Sequence, residues 1–290
     1  MKRMQDLEKY YKVLFDEAVR IDKVNRWLEG FFVAIALGAN YTNGFIVYAL
    51  TVVGVIIQIW VYANKKIQKN YEILAHKIEE YSMIYTVYKK DTFNFEVSHI
   101  IGNFKPKLHK LVVDSPDNPE SSHYLAPEQA PNRLIWMVQE NSFWNTHLFR
   151  YSYQKSLIRI IIIFILTMVA FLCSIALLSK YGGIIDVNFL FPRTILLILT
   201  ANFLWNELDK VVLWYSASEN MLEIDNSVAR QKDFSQDYGL HIFAYYNVIK
   251  TIAPPIEEKL YKKHEAKINL AWSARFNQLY NDKQYTTKEN

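Results

Sequence analysis

IIIIFILTMVAFLCSIALLS, residues 160–179, decides the fold: twenty consecutive residues carry no charged side chain. A helix rising ~1.5 Å per residue needs about 20 such residues to cross a hydrocarbon core of ~30 Å. Arg159 and Lys180 bracket the run, so it reads as a membrane span. A second apolar block, residues 27–62, holds thirty-six residues with Glu29 as its one charge. That is too long for one span, and GANYTNG (38–44) breaks it with glycine and asparagine. The expectation is two helices, 27–39 and 45–63, joined by a tight turn, or else a re-entrant hairpin. A fourth span is expected at 189–205, with Pro192 in its first turn and Arg193 reaching headgroups.

Composition alone hides this. The chain has 290 residues, 33 Lys+Arg against 29 Asp+Glu and 21% charged residues, and its mean hydropathy is close to zero. The average blends apolar runs with a polar remainder. The single cysteine, Cys173, lies inside the 160–179 run, which excludes a disulfide scaffold and a multi-cysteine zinc site. Residues 1–26 carry twelve charges before the first apolar run, a pattern unlike a secretory signal.

The flanks set an expected topology. Lys23 and Arg26 precede the first span, and Lys65, Lys66 and Lys69 follow the second. Arg150, Lys155 and Arg159 precede the third, and Lys210 follows the fourth. The positive-inside rule then places both termini and the middle segment in the cytoplasm. Trp27, Trp60 and Trp205 fall at the inner ends, where an aromatic belt belongs. The fold class expected is mostly α: a polytopic membrane protein with four transmembrane helices in a 2+2 arrangement and a helical cytoplasmic body. Its parts are an N-terminal helix (1–26), hairpin 1 (27–63), a stalk with a loop-rich insert (64–157), hairpin 2 (158–206) and C-terminal helices (207–290).

After the second span, Ile67, Tyr71, Leu74, Ile78, Tyr81, Tyr85 and Tyr88 recur at alternating spacings of four and three, a coiled-coil seam. Leu7, Leu14, Ile21 and Leu28 recur every seven residues, so two antiparallel helices are expected to lay these seams together. The tyrosines then serve as packing residues, a ligand groove being the sharper alternative. Residues 91–131 read as loop or a small insert whose short apolar runs fit strands or helices equally. Helix is expected again over 132–159 and 206–232, then at 241–251 and about 256–281, with polar, frayed final residues.

Catalytic chemistry is not expected. Phosphate-cradling glycine loops, HExxH and a GxSxG elbow are all absent from the sequence. The seven histidines are scattered, which argues against a helical metal site. Polar residues in the spans are the better candidates, because they cost free energy in lipid. Glu29, Gln58, Asn202 and Asn206 are candidate pore-lining positions, with interhelical hydrogen bonding as the plainer alternative. Four spans with so few polar positions cannot enclose a water path in one subunit, so a pore implies a homo-oligomer. The run Gln139–Trp144 with Arg150, on the helix entering the third span, suits a structural network or a sensor and coupling helix. The basic segment 259–267 suits anionic headgroups or a solvated helix face.

QENSFWNTHLFRYSY (139–153) resembles the pre-membrane motif of the SMODS-associated four-transmembrane effector family, with Gln139, Asn141, Trp144 and Leu148 matching. The tail, from Arg230-Gln231 through APPIEEKLYKKHE, and the 2+2 span order resemble the same family. The chain departs from it at Glu140, where the family has a basic residue, and at Ile256-Glu257-Glu258, where it is aromatic-rich. The resemblance implies a bacterial inner-membrane effector of antiphage defence by abortive infection. A linked nucleotidyltransferase would make a cyclic oligonucleotide, which binds on the cytoplasmic side and triggers oligomeric pore formation or membrane disruption. No cofactor, metal or direct nucleic-acid partner is implied. The alternatives are a membrane-anchored adaptor and a constitutive small channel or transporter.

Overall fold

A computed structural model describes residues 2–39, 42, 44–88, 94–115, 132–181, 190–231 and 234–288. Among them the chain is all helix: α1 (Lys2–Ala39), α2 (Phe45–Tyr88), α3 (Asn94–Gly102), α4 (Pro106–Asp114), α5 (Asn132–Tyr181), α6 (Leu190–Arg230), α7 (Gln236–Ile252) and α8 (Glu258–Lys288). The long helices α1, α2, α5 and α6 each join a charged segment to an apolar one without interruption, as their sequence patterns require. They supply residues to two compact units. The first unit comprises Met1–Glu17, Tyr71–Ser152 and Leu213–Asn290; the second comprises Ala18–Asn70 and Tyr153–Val212.

The second unit is apolar outside. Its core is small, with Phe32, Ile35, Ala36 and Ala39 of α1 packed on Ile57 and Val61 of α2 and Leu196 of α6. Gly54 permits this closeness: a Cβ there would stand 2.9 Å from the Leu196 Cδ2 and 3.2 Å from the Phe32 ring. Small residues at helix crossings do this work in apolar surroundings, where backbone approach replaces hydrophobic drive. Gly44, with φ of +70°, starts α2 in a conformation that only glycine adopts without strain. Residues 40, 41 and 43 of that turn lie outside the described residues, as do the loop 182–189 and the side chain of Cys173. By length and hydropathy, one helix among the described residues, α2, is able to cross a membrane.

The first unit buries the paired seams. Leu7 and Leu14 of α1 meet Ala75, Ile78 and Tyr81 of α2, and Val97 of α3 with Phe104, Leu108 and Val112 of α3–α4 closes the cluster. Tyr81 and Tyr85 stack at 6.1 Å within this packing, so these tyrosines hold the core. Ile67, at the start of the seam, is exposed. The insert left open between strand and helix is helical where described: α3 and α4, the latter starting at Pro106, whose missing N–H costs nothing at a first position. The proline-rich 116–131 lies outside the described residues.

Two helix starts and ends differ from the sequence pattern. α7 begins at Gln236, before the expected 241, because the Ser235 Oγ accepts the Tyr238 N–H at 3.1 Å and caps the first turn. It ends at Ile252, with Ala253 as its cap, since Pro254 and Pro255 have no N–H to continue it, and the Trp214 indole N–H donates to the Pro254 carbonyl at 2.9 Å. α8 continues past the expected 281 to Lys288.

Inside the first unit the Lys250 ammonium joins the Glu79 carboxylate and lies 5.9 Å and 5.7 Å from the Phe15 and Tyr246 ring centres. Burial works to raise the Glu79 carboxyl, but Lys250 and then His76 outweigh it and hold it at about 2. A carboxyl lowered in the folded state contributes stability above its ordinary pKa and loses it as pH falls through the folded value. Acid titration from pH 5 to 2, followed by near-ultraviolet circular dichroism, is expected to cost on the order of 3 kcal/mol through this one group. Glu79→Gln is expected to flatten that part of the curve; an unchanged acid profile refutes the assignment.

Candidate functional site

Two constellations of polar side chains stand apart from ordinary surface. The first centres on α5 in the first unit. Gln139 is fully buried, and its side-chain amide donates to both the Asp225 backbone carbonyl at 3.3 Å and the Asp225 Oδ1 at 3.1 Å. Asp225, on α6 and also buried, pairs through its other oxygen with Arg275 of α8 at 2.8 Å. One carboxylate thus ties three helices. Burial pushes its pKa up, against the opposing pull of Arg275 and Gln139. Two turns further along α5, the Ser218 hydroxyl donates to the Thr146 carbonyl at 3.0 Å. Arg150 reaches Glu219 at 3.7 Å.

The neighbouring face of α5 meets α8 through rings. Trp136 packs on Phe276 at 5.4 Å, Phe143 on Trp272 at 5.3 Å, Trp144 on Tyr261 at 5.6 Å, and Tyr151 on His264 at 3.8 Å and 14°. Arg275 caps the Phe143 ring at 5.7 Å, a cation–π contact. Ile268 and Leu148 fill the gaps between the rings.

The second constellation lies in the second unit. Glu29 of α1, 3% exposed, pairs with Lys65 of α2 at 2.8 Å. Glu207 of α6, 2% exposed, pairs with Lys210 at 2.7 Å and Arg159 of α5 at 3.6 Å, and Lys210 extends to Asp22 at 3.7 Å. Asn64 donates to the Asn25 side-chain oxygen at 3.0 Å. Among the described residues, the Glu29 Oε2 and the Gln58 amide nitrogen are buried without a hydrogen-bond partner. Outside this charged interior, Val52, Ile56 and Ile59 of α2, Ile161 and Ile165 of α5, and Leu197 and Ile198 of α6 are exposed.

No family model matches the chain, and neither a curated protein nor a solved structure does. The site therefore has to be argued from its own residues.

Of the sensor candidates, Gln139 enters the buried triad, Trp144 stacks on α8 and Arg150 pairs with α6, while Asn141 is half-buried on the same helix. Of the pore candidates, Glu29 and Gln58 turn inward, Asn206 is half-buried and Asn202 is exposed. Sequence reasoning missed Asp225, Arg275 and Trp272, which sit on helices remote in the chain. It also read Lys65, Arg159 and Lys210 only as charged flanks, whereas each closes an ion pair on a buried carboxylate. Among the described residues no group of His, Cys, Asp or Glu is arranged to hold a metal ion.

Removing one partner of a buried ion pair strands the other, at roughly 3–5 kcal/mol, whereas removing both is far milder. Lys65→Met is therefore expected to lower the unfolding midpoint in detergent clearly, and Lys65→Met with Glu29→Gln to regain most of it. A double variant as unstable as the single one overturns the pairing.

Proposed function

We propose that this chain is a four-span inner-membrane effector of bacterial antiphage defence. A cyclic nucleotide bound by the first unit on the cytoplasmic side would trigger an oligomeric pore or local membrane disruption through the second. The observation that carries the membrane part is the aliphatic surface of the second unit, where Val52, Ile56, Ile59, Ile161, Ile165, Leu197 and Ile198 are exposed while Glu29 and Glu207 are buried and paired. Soluble monomers rarely expose continuous apolar area beyond a few hundred Å². In hydrocarbon that exterior costs nothing, and the buried carboxylates follow the rule that intramembrane charges face the bundle interior and pair. The exposed rings of Trp27, Trp60 and Trp205 suit an interfacial belt.

The resemblance of residues 139–153 and of the tail supplies the biological setting, including the nucleotide trigger and its synthase. A trigger acts only through differential affinity for the resting and active states. The α5 helix offers a lever of that kind, because Gln139, Asp225 and Arg275 make one network whose members cannot be rearranged singly without cost. With so few polar residues, the second unit of one copy would not enclose a water path by itself. Opening would then require new packing between copies.

Reconstitution in dye-loaded liposomes with a panel of cyclic di- and trinucleotides tests the reading. Leakage with one nucleotide and not the others is expected; constant leakage indicates a channel, and none with any member indicates an adaptor. Trp144→Ala and Asn141→Ala are each expected to abolish triggered leakage, at least tenfold, while the protein still inserts. Full toxicity of both in cells would refute the coupling role of α5. Independently, brominated lipids are expected to quench a large share of the tryptophan emission, and the quenching is expected to fall in Trp205→Phe. An emission insensitive to the lipid refutes bilayer insertion.

A further inference from the structure

The face where α5 and α8 meet gathers positive charge beside flat rings. Arg150 comes from α5, and Lys267 and Arg275 come from α8. All three act on His147, which is half-buried between the helices. Burial first, and then these three cations, push the His147 imidazole below its ordinary pKa. Two carboxylates of α6 touch this set, Asp225 on Arg275 and Glu219 on Arg150. The Glu219 pair is long at 3.7 Å and open to solvent, so it is worth little. Lys267 is exposed.

Rings border the cations. Trp144 on Tyr261 and Tyr151 on His264 form two stacked pairs, all four rings at least partly accessible. Deeper in, four polar atoms are buried without a hydrogen-bond partner among the described residues: Gln139 Oε1, Ser142 Oγ, Trp272 Nε1 and Arg275 Nε. Two of these are fixed N–H donors on α8. Buried donors without acceptors each cost about 1–3 kcal/mol, and a structure keeps them where a partner repays that cost. Cations and N–H donors call for an anion, and accessible stacking rings call for a planar group attached to it.

We propose that the α5–α8 face binds a phosphate-bearing ligand, with Arg150, Lys267 and Arg275 holding the phosphate and Trp144 and Tyr261 taking a planar base. This rests on the ligand-triggered reading above and gives it a location. The shared chemistry is a phosphate diester, which a free cyclic nucleotide and an anionic lipid headgroup both present. The stacked rings favour the nucleotide. An anion seated here would also draw His147 toward its protonated form, adding a further donor after binding.

The full chain in phosphatidylcholine nanodiscs is titrated by calorimetry with cyclic di-adenylate, cyclic di-guanylate, cyclic tri-adenylate and inorganic phosphate. Native mass spectrometry in detergent compares retention of phosphatidylglycerol with that of phosphatidylcholine. Saturable binding of one nucleotide is expected, weakened at least tenfold in Lys267→Glu and in Arg150→Gln, and preserved in Lys267→Arg. Circular dichroism and insertion control for folding, which the exposure of Lys267 protects. Selective retention of phosphatidylglycerol that falls in the same two variants keeps the phosphate site and assigns it to a headgroup. Binding equal in all variants, or absent for every probe, overturns the proposal. Leakage scored in parallel separates the two readings. A nucleotide that triggers leakage yet binds Lys267→Glu and Arg150→Gln at full strength overturns the site and leaves the function standing. Residue-dependent binding without leakage keeps the site and overturns the trigger.

Discussion

Glu29 and Glu207 impose the constraint on which the second unit depends. A carboxylate removed from water costs several kcal/mol unless a cation and further hydrogen bonds meet it. Both are almost fully buried in a unit whose exterior is aliphatic. Lys65 therefore approaches from α2 and Arg159 from α5, while Lys210 joins Glu207 of its own helix to Asp22 of α1, and the pairs between helices constrain how each is turned about its axis. The apolar residues have no comparable power to choose a rotation, since Val, Ile and Leu surround α2 on several sides. Charge pairing sets orientation here, and the close contact at Gly54 sets distance.

In the first unit a different interaction dominates. α5 packs on both α6 and α8, and each contact uses its own chemistry: hydrogen bonds and one shared carboxylate toward α6, rings toward α8. Three of the ring contacts run in antiparallel order, from Trp136–Phe276 through Phe143–Trp272 to Tyr151–His264. The Asp225 carboxylate connects the two sides because Arg275 both pairs with it and caps Phe143. A disturbance at either face of α5 therefore reaches the other through a single guanidinium.

Much of this was legible in the sequence, and the failures have identifiable causes. The long helices were visible because an uncharged run and a heptad seam are both periodic signals extended over several turns. Leu7 and Leu14 against Ile78 and Tyr81 followed from that spacing. α3 and α4 were not decidable, since nine residues are too few for a period to declare itself. The start of α7 was hidden because Gln236 and Asp237 look like loop residues, and only the Ser235 cap marks them as helix. For the candidate site, Gln139, Trp144 and Arg150 stood out as polar and aromatic residues on a helix leading into an apolar run. Asp225 and Arg275 did not, because a carboxylate and an arginine fifty residues apart carry no local signature of being partners. Lys65, Arg159 and Lys210 show a subtler failure: hydropathy locates a charge along a helix and says nothing of the side it faces.

The division into units has a consequence for the order of assembly during synthesis. The second unit ends at Val212, whereas the first needs its last stretch, Leu213–Asn290, and within it the rings of α8 that cover Phe143 and Trp136. A ribosome emits every residue of the second unit before that stretch exists. The α5 face must then wait, uncovered, until the final helix emerges to close over it. A chain released prematurely would carry the whole second unit and no finished first unit.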